Sequence, residues 1–226
     1  MKHIPNILTS LRIVLTGVFA WQFFRAMNIA TDPTNSVGFA AFWVPITVYS
    51  VAFLTDILDG FLARTFHWIT PVGKILDPLA DKLMGVTALV CALVGKNFLA
   101  AHDAALLPSA RIYTVLVVLV AIKELLMMIG GAYMLTRHKV AYSDWYGKSA
   151  TGLFTAGMIL TLFSFALPAI DPWNLVVLGG ATALGYAAMV HYARTQLRAE
   201  PKKPEDWNDD ERRLFEKVDR FIKNDD

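Results

Sequence analysis

The chain has very little cysteine and very little net charge. Its 226 residues include one cysteine, Cys91, which excludes an intrachain disulfide and which its apolar neighbours assign to simple packing. The formal net charge is only +2, so nothing indicates a nucleic-acid partner. The first residues lack a small-residue cleavage site, and Pro5 and Arg12 interrupt them, so we expect no cleaved secretory signal. No internal repeat is evident.

Hydrophobic sequence, in contrast, is abundant. Apolar residues make up 55% of the chain and the mean hydropathy is +0.45, above the roughly 45–50% apolar content of soluble domains. They occur in blocks of about twenty residues, the length that a helix needs to cross a bilayer. We therefore predict an all-α integral membrane protein with six spans. These spans cover residues 7–27, 37–62, 76–99, 112–135, 148–167 and 174–192.

The distribution of basic residues predicts the orientation of these spans. One side collects most of them: Lys2, Arg12, Arg64, Lys74, Arg137, Lys139, Lys148, Arg194 and Arg198. The opposite loops carry little beyond Arg25, Lys96 and Arg111. Because positive charge stays on the cytoplasmic side, we expect both termini in the cytoplasm of a cell whose inner membrane holds the protein.

The end of the chain differs in character from the rest. Residues 1–198 form the predicted membrane domain, and residues 199–226 form a polar tail. Within the tail, acids at 208–211 precede Leu214, Val218, Phe221 and Ile222 at helical spacing. We expect a short amphipathic helix there, on the cytosolic side.

An acidic segment between residues 56 and 81 interrupts this apolar sequence. Asp56 and Asp59 are three residues apart, and Asp77 and Asp81 are four apart, so each pair shares a helix face. Small residues, Gly60, Ala63 and Gly73, and the cation Arg64 accompany the acids. Small residues let a ligand approach the backbone, and the planar guanidinium suits a phosphate. Acids clustered in a membrane protein indicate a functional site.

Four carboxylates need a counter-charge, and their chemistry favours a hard divalent cation. Oxygen ligands suit Mg²⁺ first and Mn²⁺ second, whereas zinc is disfavoured because no thiol or histidine lies on these faces. Two such ions could hold a pyrophosphate and stabilise a leaving group. Two alternatives stay open: an ion-pair network with Arg64, Lys74 and Lys82, and an ion-coupled transporter that uses the acids as a relay.

The segment resembles the motif D-x2-D-G-x2-A-R-x8-G-x3-D-x3-D of the CDP-alcohol phosphotransferase (CDP-alcohol phosphatidyltransferase) family at every fixed position. The resemblance implies six transmembrane helices around a polar, cytosol-facing cavity, and transfer of a phospho-group from a CDP-linked donor to an alcohol with release of CMP. It implies that Asp56, Asp59, Asp77 and Asp81 hold two metal ions and that Asp81 is the catalytic base. It also implies a homodimer.

The resemblance extends to the start of the chain. The stretch from Ile4 to Arg12 and the sequence from Asp77 to Lys82 are similar to bacterial phosphatidylglycerophosphate synthases and cardiolipin synthases of this family. This similarity implies a site for the donor nucleotide and its phosphates. Its residues would be Asn6, Thr9, Arg12, Asp59, Gly60, Ala63, Arg64 and Gly73.

The acceptor site is predicted from fewer signals. A phosphorylated acceptor needs cations, and the candidates are Lys123, Arg137, Lys139 and Lys148. Residues 147–151 resemble the Gly-Lys-x-Lys-Thr of phosphatidylglycerophosphate synthases, but Ala150 replaces the second lysine. Lys123 could instead pair with Glu124, and Lys148 could be an interfacial anchor.

These signals together predict a phospholipid-synthesising phosphatidyltransferase. CDP-diacylglycerol is the expected donor and glycerol 3-phosphate is the first expected acceptor. Phosphatidylglycerol, which would make the protein a cardiolipin synthase, and inositol phosphate are alternative acceptors.

Overall fold

The described residues fold into six long α-helices and contain no strand. The computed structural model describes residues 4–32, 37–66, 73–136 and 145–196. The helices are α1 (Ile4–Thr31), α2 (Trp43–Phe66), α3 (Gly73–His102), α4 (Leu107–Thr136), α5 (Trp145–Ala166) and α6 (Asp171–Gln196). Six helical stretches are long and apolar enough to cross a membrane. The prediction of an all-α membrane protein with six spans is confirmed.

Short 3-10 turns lead into three of the helices. Gly38–Phe42 precedes α2, Ala104–Leu106 precedes α4 and Pro168–Ile170 precedes α6. Gly38 has φ +50°, a left-handed conformation that strains most other residues. Before α4, the Asp103 carboxylate accepts a hydrogen bond from the Ala105 amide at 2.9 Å, which satisfies a donor that the helix start leaves unpaired. The predicted tail, residues 199–226, lies outside the described residues, so the predicted domain division stays a prediction.

The chain divides into two compact units. The first comprises Met1–Val115 and Ala156–Val176, and therefore contains α1, α2, α3 and the parts of α4, α5 and α6 that pack with them. The second comprises Leu116–Thr155 and Val177–Asp226, with the remaining parts of α4, α5 and α6.

An aromatic cluster forms the core of the first unit. The Phe23 ring on α1 meets the Phe165 ring on α5 edge to face, with centroids 5.0 Å apart. Phe42, in the turn before α2, lies 5.0 Å from Phe165, and Phe19 lies 5.2 Å from Tyr49 on α2. Gly95 of α3 lies against Phe23 and Phe165, where a Cβ would approach both rings to 2.9 Å. The missing side chain therefore lets α3 pack closely on the cluster.

A buried ion pair joins α3 to the start of α6 within the same unit. The ammonium of Lys96 donates to the Asp171 carboxylate and to the Ser164 hydroxyl at 3.3 Å. Asn174 also donates to Asp171, at 2.9 Å. The sequence analysis counted Lys96 among loop charges, and this was wrong: Lys96 lies inside α3 and only 7% of its side chain is exposed. The pairing explains how a cation can be retained at that depth.

Large apolar side chains remain exposed along the helices. They include Val86 of α3, Val115 and Met128 of α4, and Val176 of α6. Water would disfavour so many exposed apolar residues, whereas hydrocarbon would not. This surface therefore agrees with helices that lie in a lipid bilayer.

Candidate active site

The two halves of the acidic motif lie on consecutive helices. The residues Asp56, Asp59, Gly60, Ala63 and Arg64 occupy the last part of α2, Trp43–Phe66. Gly73 is the first residue of α3, which continues through Asp77 and Asp81. The predicted helical spacing of both pairs of acids is therefore confirmed. The side chains of residues 56–66 and 73–79 lie outside the described part, and their convergence stays a prediction.

Asp81 is the motif aspartate whose side chain the structure describes. Its Oδ1 accepts a hydrogen bond from Nη1 of Arg12 on α1, at 2.8 Å. The Arg12 side chain is fully buried, whereas 52% of the Asp81 side chain is exposed. A charge-assisted bond of this length holds the carboxylate in one orientation. Arg12 therefore orients the proposed base, and about half of the Asp81 side chain stays accessible to a ligand.

The Arg12 side of this pair is built on a polar face of α1. Thr9 and Thr16 are also buried, at 0% and 3% exposure. The Thr16 hydroxyl donates to the Arg12 carbonyl at 2.8 Å. Threonine hydroxyls that bond to their own helix need no other partner when buried. The structure therefore brings together two predicted site residues, Arg12 and Asp81, and buries a third, Thr9, three residues before Arg12 on the same helix. The side chain of Asn6 lies outside the described part.

Asp81 fits the chemistry of the expected metal, although it is one ligand of several. A carboxylate oxygen is the kind of ligand that Mg²⁺ and Mn²⁺ prefer. Among the side chains that the structure describes, no group of three or more His, Cys, Asp and Glu residues could hold an ion. That search did not include the side chains of Asp56, Asp59 and Asp77, so the two-ion site stays a prediction.

Lys123, a predicted acceptor residue, has two close neighbours in the second unit. Its ammonium lies 2.6 Å from Oε1 of Glu124. Its stem lies against Gly185 of α6, where an added Cβ would be 3.1 Å from Lys123 Cδ. Gly185 therefore creates the room that the lysine occupies. The pairing with Glu124 is the alternative that the sequence left open for this residue.

The other predicted acceptor residues are less fully described. Lys148 lies in the first turn of α5 and is exposed. Arg137 and Lys139 lie outside the described residues. Ala150, which stands where the resemblance leads us to expect a second lysine, is buried with 8% exposure. No acceptor assignment is therefore tested by the geometry.

Two long-range contacts escaped the sequence analysis. The bond between Arg12 and Asp81 joins residues 69 positions apart, and the ion pair between Lys96 and Asp171 joins residues 75 apart. Helical periodicity relates only neighbours three or four residues apart, so it carries no signal for either pair. For the second pair, the signal available was a lysine and an aspartate within or beside apolar runs.

Comparisons with known proteins agree with this architecture. The model of the family described as "CDP-alcohol phosphatidyltransferase" matches residues 2–191. A protein of Sodalis glossinidius is 30% identical over 194 residues, which cover 84% of this chain and 89% of that protein. A protein of Escherichia coli K12 is 33% identical over 158 residues, 70% of this chain and 73% of that protein.

A shorter match has higher identity. A Pseudomonas fluorescens protein is 40% identical over 88 residues, which cover 39% of this chain and 40% of that protein. All three relatives are named CDP-diacylglycerol–glycerol-3-phosphate 3-phosphatidyltransferase. The helices and their apolar surface thus define a multi-pass membrane protein. The chain belongs to the CDP-alcohol phosphatidyltransferase family.

Proposed function

We propose that this protein is a phosphatidyltransferase that moves the phosphatidyl group of CDP-diacylglycerol to glycerol 3-phosphate and releases CMP. The observation that carries the proposal is the complete acidic motif on two consecutive helices, α2 and α3. The names of relatives that match over most of the chain support the same donor and acceptor.

The residues of the site account for the reaction as follows. Asp81 takes the proton of the acceptor hydroxyl, and the oxygen then attacks the phosphorus that bears the lipid. The bond from that phosphorus to the oxygen of CMP breaks, and Arg64 stabilises the charge of the departing nucleotide. Arg12 keeps the Asp81 carboxylate oriented throughout.

The acidic site also requires divalent cations in this proposal. Asp56, Asp59, Asp77 and Asp81 would hold two Mg²⁺ ions, which Mn²⁺ could replace. Bound there, the ions supply charge stabilisation for the pyrophosphate and the leaving group. Oxygen ligands from four aspartates are the donor set that these hard cations favour.

The test is a CMP-release assay with purified protein. Mg²⁺, CDP-diacylglycerol and glycerol 3-phosphate together should give CMP, and omission of the acceptor or of Mg²⁺ should not. Asp81→Asn should abolish release while keeping the helix content of the parent by circular dichroism, although loss of the counter-charge of the buried Arg12 lowers the melting temperature. Undiminished release by that variant would show that Asp81 is not the base. Transmembrane ion flux without a nucleotide product would instead favour the transporter.

One observation favours a second acceptor. Ala150 is uncharged and buried where phosphatidylglycerophosphate synthases have a lysine, so one expected partner of the acceptor phosphate is missing. The absence of this lysine also agrees with phosphatidylglycerol as the acceptor, in which case the product would be cardiolipin. Assays that present glycerol 3-phosphate, phosphatidylglycerol and inositol phosphate to the same donor will distinguish the alternatives by their lipid products.

The orientation and assembly belong to the same proposal. We place the protein in the inner membrane with both termini and the acidic site in the cytoplasm, because basic residues favour that side. Arg198→Cys in a Cys91→Ser background should react with an impermeant maleimide in inverted vesicles and not in intact cells with a permeabilised outer membrane. We also propose a homodimer, which light scattering of the purified protein will test.

A further inference from the structure

A large cavity lies within the second unit. Its volume is about 680 Å³, and segments of α4, α5 and α6 line it, a size typical of sites for small molecules. Much of its wall consists of residues with little or no side chain, among them Gly130, Gly131, Gly147, Ala150 and Gly185. The cavity therefore exists because these helices carry small residues along this wall.

Several polar groups in the wall have partners within the protein. The Thr151 hydroxyl donates to the Gly147 carbonyl at 3.0 Å, and the Thr182 hydroxyl donates to the Leu178 carbonyl at 2.8 Å. The Lys123 ammonium is paired with Glu124 at 2.6 Å. The two threonine hydroxyls are thus satisfied by bonds within their own helices, and Lys123 and Glu124 form a charged pair in a wall that is otherwise mostly apolar. An apolar ligand would break none of these bonds.

Apolar residues also form much of the exposed part of the lining, beside Glu124, whose side chain is 54% exposed. Leu126, Met127 and Val190 belong to the lining and are 46%, 41% and 43% exposed. Deeper in the wall, Met134 and Ala181 are buried. The exposed residues lie within the membrane-spanning stretches Ala104–Gly131 and Pro168–Thr195. The exposed apolar part of the lining thus belongs to helices that cross the membrane, and a ligand that enters past it comes from the bilayer.

We propose that this cavity binds one acyl chain of an ordinary bilayer phospholipid, which enters sideways between α4 and α6. An acyl chain matches the apolar wall. The chain has no polar groups, so its burial breaks no hydrogen bonds. The cavity is not assigned to the nucleotide-bearing donor, because most of its wall is apolar and the negative charge of Glu124 lies beside its lysine. This lipid site does not rest on the proposed reaction.

Glycines in the wall allow the cavity to be filled without a clash. A Cβ on Gly131 or Gly147 would have no heavy atom within 4 Å, so a larger side chain there extends into open space. Gly152 of α5 also has open space around it but is not part of the lining. Gly131→Leu and Gly147→Leu therefore fill the cavity, and Gly152→Leu is the matched control for replacing an open glycine by leucine.

The experiment uses the full-length protein in nanodiscs of phosphatidylethanolamine and phosphatidylglycerol. A trace of phosphatidylethanolamine with a diazirine at the end of one acyl chain is photoactivated, and the labelled peptides are identified by mass spectrometry. We expect labelling at the cavity wall, around Met134 or Ala181. Each filling variant should lower this labelling about tenfold, because several buried methylene groups are displaced. Gly152→Leu should leave it unchanged.

Three outcomes would overturn the proposal. The first is wall labelling that Gly131→Leu and Gly147→Leu both leave unchanged. The second is label confined to exposed residues such as Met128, which would indicate only the surrounding lipid. The third is displacement of the label by CDP-diacylglycerol or by glycerol 3-phosphate at concentrations that saturate CMP release, which would assign the cavity to a substrate. Because labelling requires no turnover, an inactive enzyme would still give a clear result.

Discussion

Arg12 of α1 donates a hydrogen bond from Nη1 to Oδ1 of Asp81 on α3, at 2.8 Å. The sequence analysis assigned these residues to different tasks, Arg12 to the donor phosphates and Asp81 to the metal and the proton. The structure joins them, with the guanidinium fully buried and the carboxylate half exposed. A buried cation beside a carboxylate orients it and also reduces the negative charge that a metal ion meets. The first effect favours turnover, because it positions the carboxylate. The second weakens metal binding, because it lowers the attraction between the carboxylate and the ion.

We expect Arg12→Gln to separate these effects. Loss of the positive charge should strengthen Mn²⁺ binding severalfold, because a repulsive charge near the ligand is removed. The same variant should lower the rate of CMP release about a hundredfold, since a misplaced catalytic group costs about that much. Mn²⁺ affinity is measured by electron paramagnetic resonance, without turnover, and the rate is measured with the CMP-release assay described above. Arg12→Lys should recover part of the rate.

The control for this variant is Arg25→Gln, which removes an exposed arginine from the same helix. It should change neither quantity. A rise in the KM for CDP-diacylglycerol with unchanged Mn²⁺ affinity would assign Arg12 to the donor phosphates instead of to Asp81. A fall in both Mn²⁺ affinity and melting temperature would mean that Arg12 serves mainly to stabilise the fold.

The sequence predicted the number and class of helices well because bilayer thickness sets the length of an apolar span. It predicted their ends less well. The first span was expected at residues 7–27, but α1 is Ile4–Thr31, and the last was expected at 174–192, but α6 is Asp171–Gln196. Helices continue beyond their apolar stretch until a cap or a turn ends them, and hydropathy does not report caps. At residues 38–42 the predicted span begins as a 3-10 turn instead.

The candidate site shows the same division between local and long-range information. Spacing along the chain was enough to place Asp56 and Asp59 on one helix and Asp77 and Asp81 on the next. It could not predict that Arg12 reaches Asp81, because this contact depends on how α1 packs against α3. Packing of that kind follows from side-chain shapes on both helices, which a single sequence does not relate to one another.

The ion pair between Lys96 and Asp171 gives a prediction about stability. Lys96→Met should lower the free energy of unfolding by about 3 kcal/mol, because the Asp171 carboxylate loses its counter-charge in a largely buried place. Adding Asp171→Asn should restore much of this loss, since the remaining group is neutral and can still bond to Asn174. Melting temperatures of the single and double variants in one detergent provide the measurement. Equal melting temperatures for the single and double variants would contradict the interpretation.

Two glycines of α3 differ in their surroundings and should respond oppositely to the same change. Gly95→Ala should destabilise the protein by about 1–3 kcal/mol, because the new methyl group would come within 2.9 Å of the rings of Phe23 and Phe165. Gly85→Ala should be neutral or slightly stabilising, since nothing lies within 4 Å of its Cβ and alanine favours helix. Thermal denaturation of both variants checks this. Similar melting temperatures would show that the aromatic cluster can move to accept a methyl group.

Gly185→Ala tests whether Lys123 serves the acceptor. The new Cβ would lie 3.1 Å from Lys123 Cδ, so the lysine must shift by a few tenths of an ångström. If its ammonium contacts the acceptor phosphate, the KM for glycerol 3-phosphate should rise about tenfold, because a displaced charged hydrogen bond loses on the order of 1.4 kcal/mol. The KM for CDP-diacylglycerol should stay constant. Gly179→Ala is the matched control on α6, since its Cβ meets only Leu116 at an ordinary 3.9 Å. Unchanged acceptor KM in both variants would assign Lys123 to its pairing with Glu124 alone.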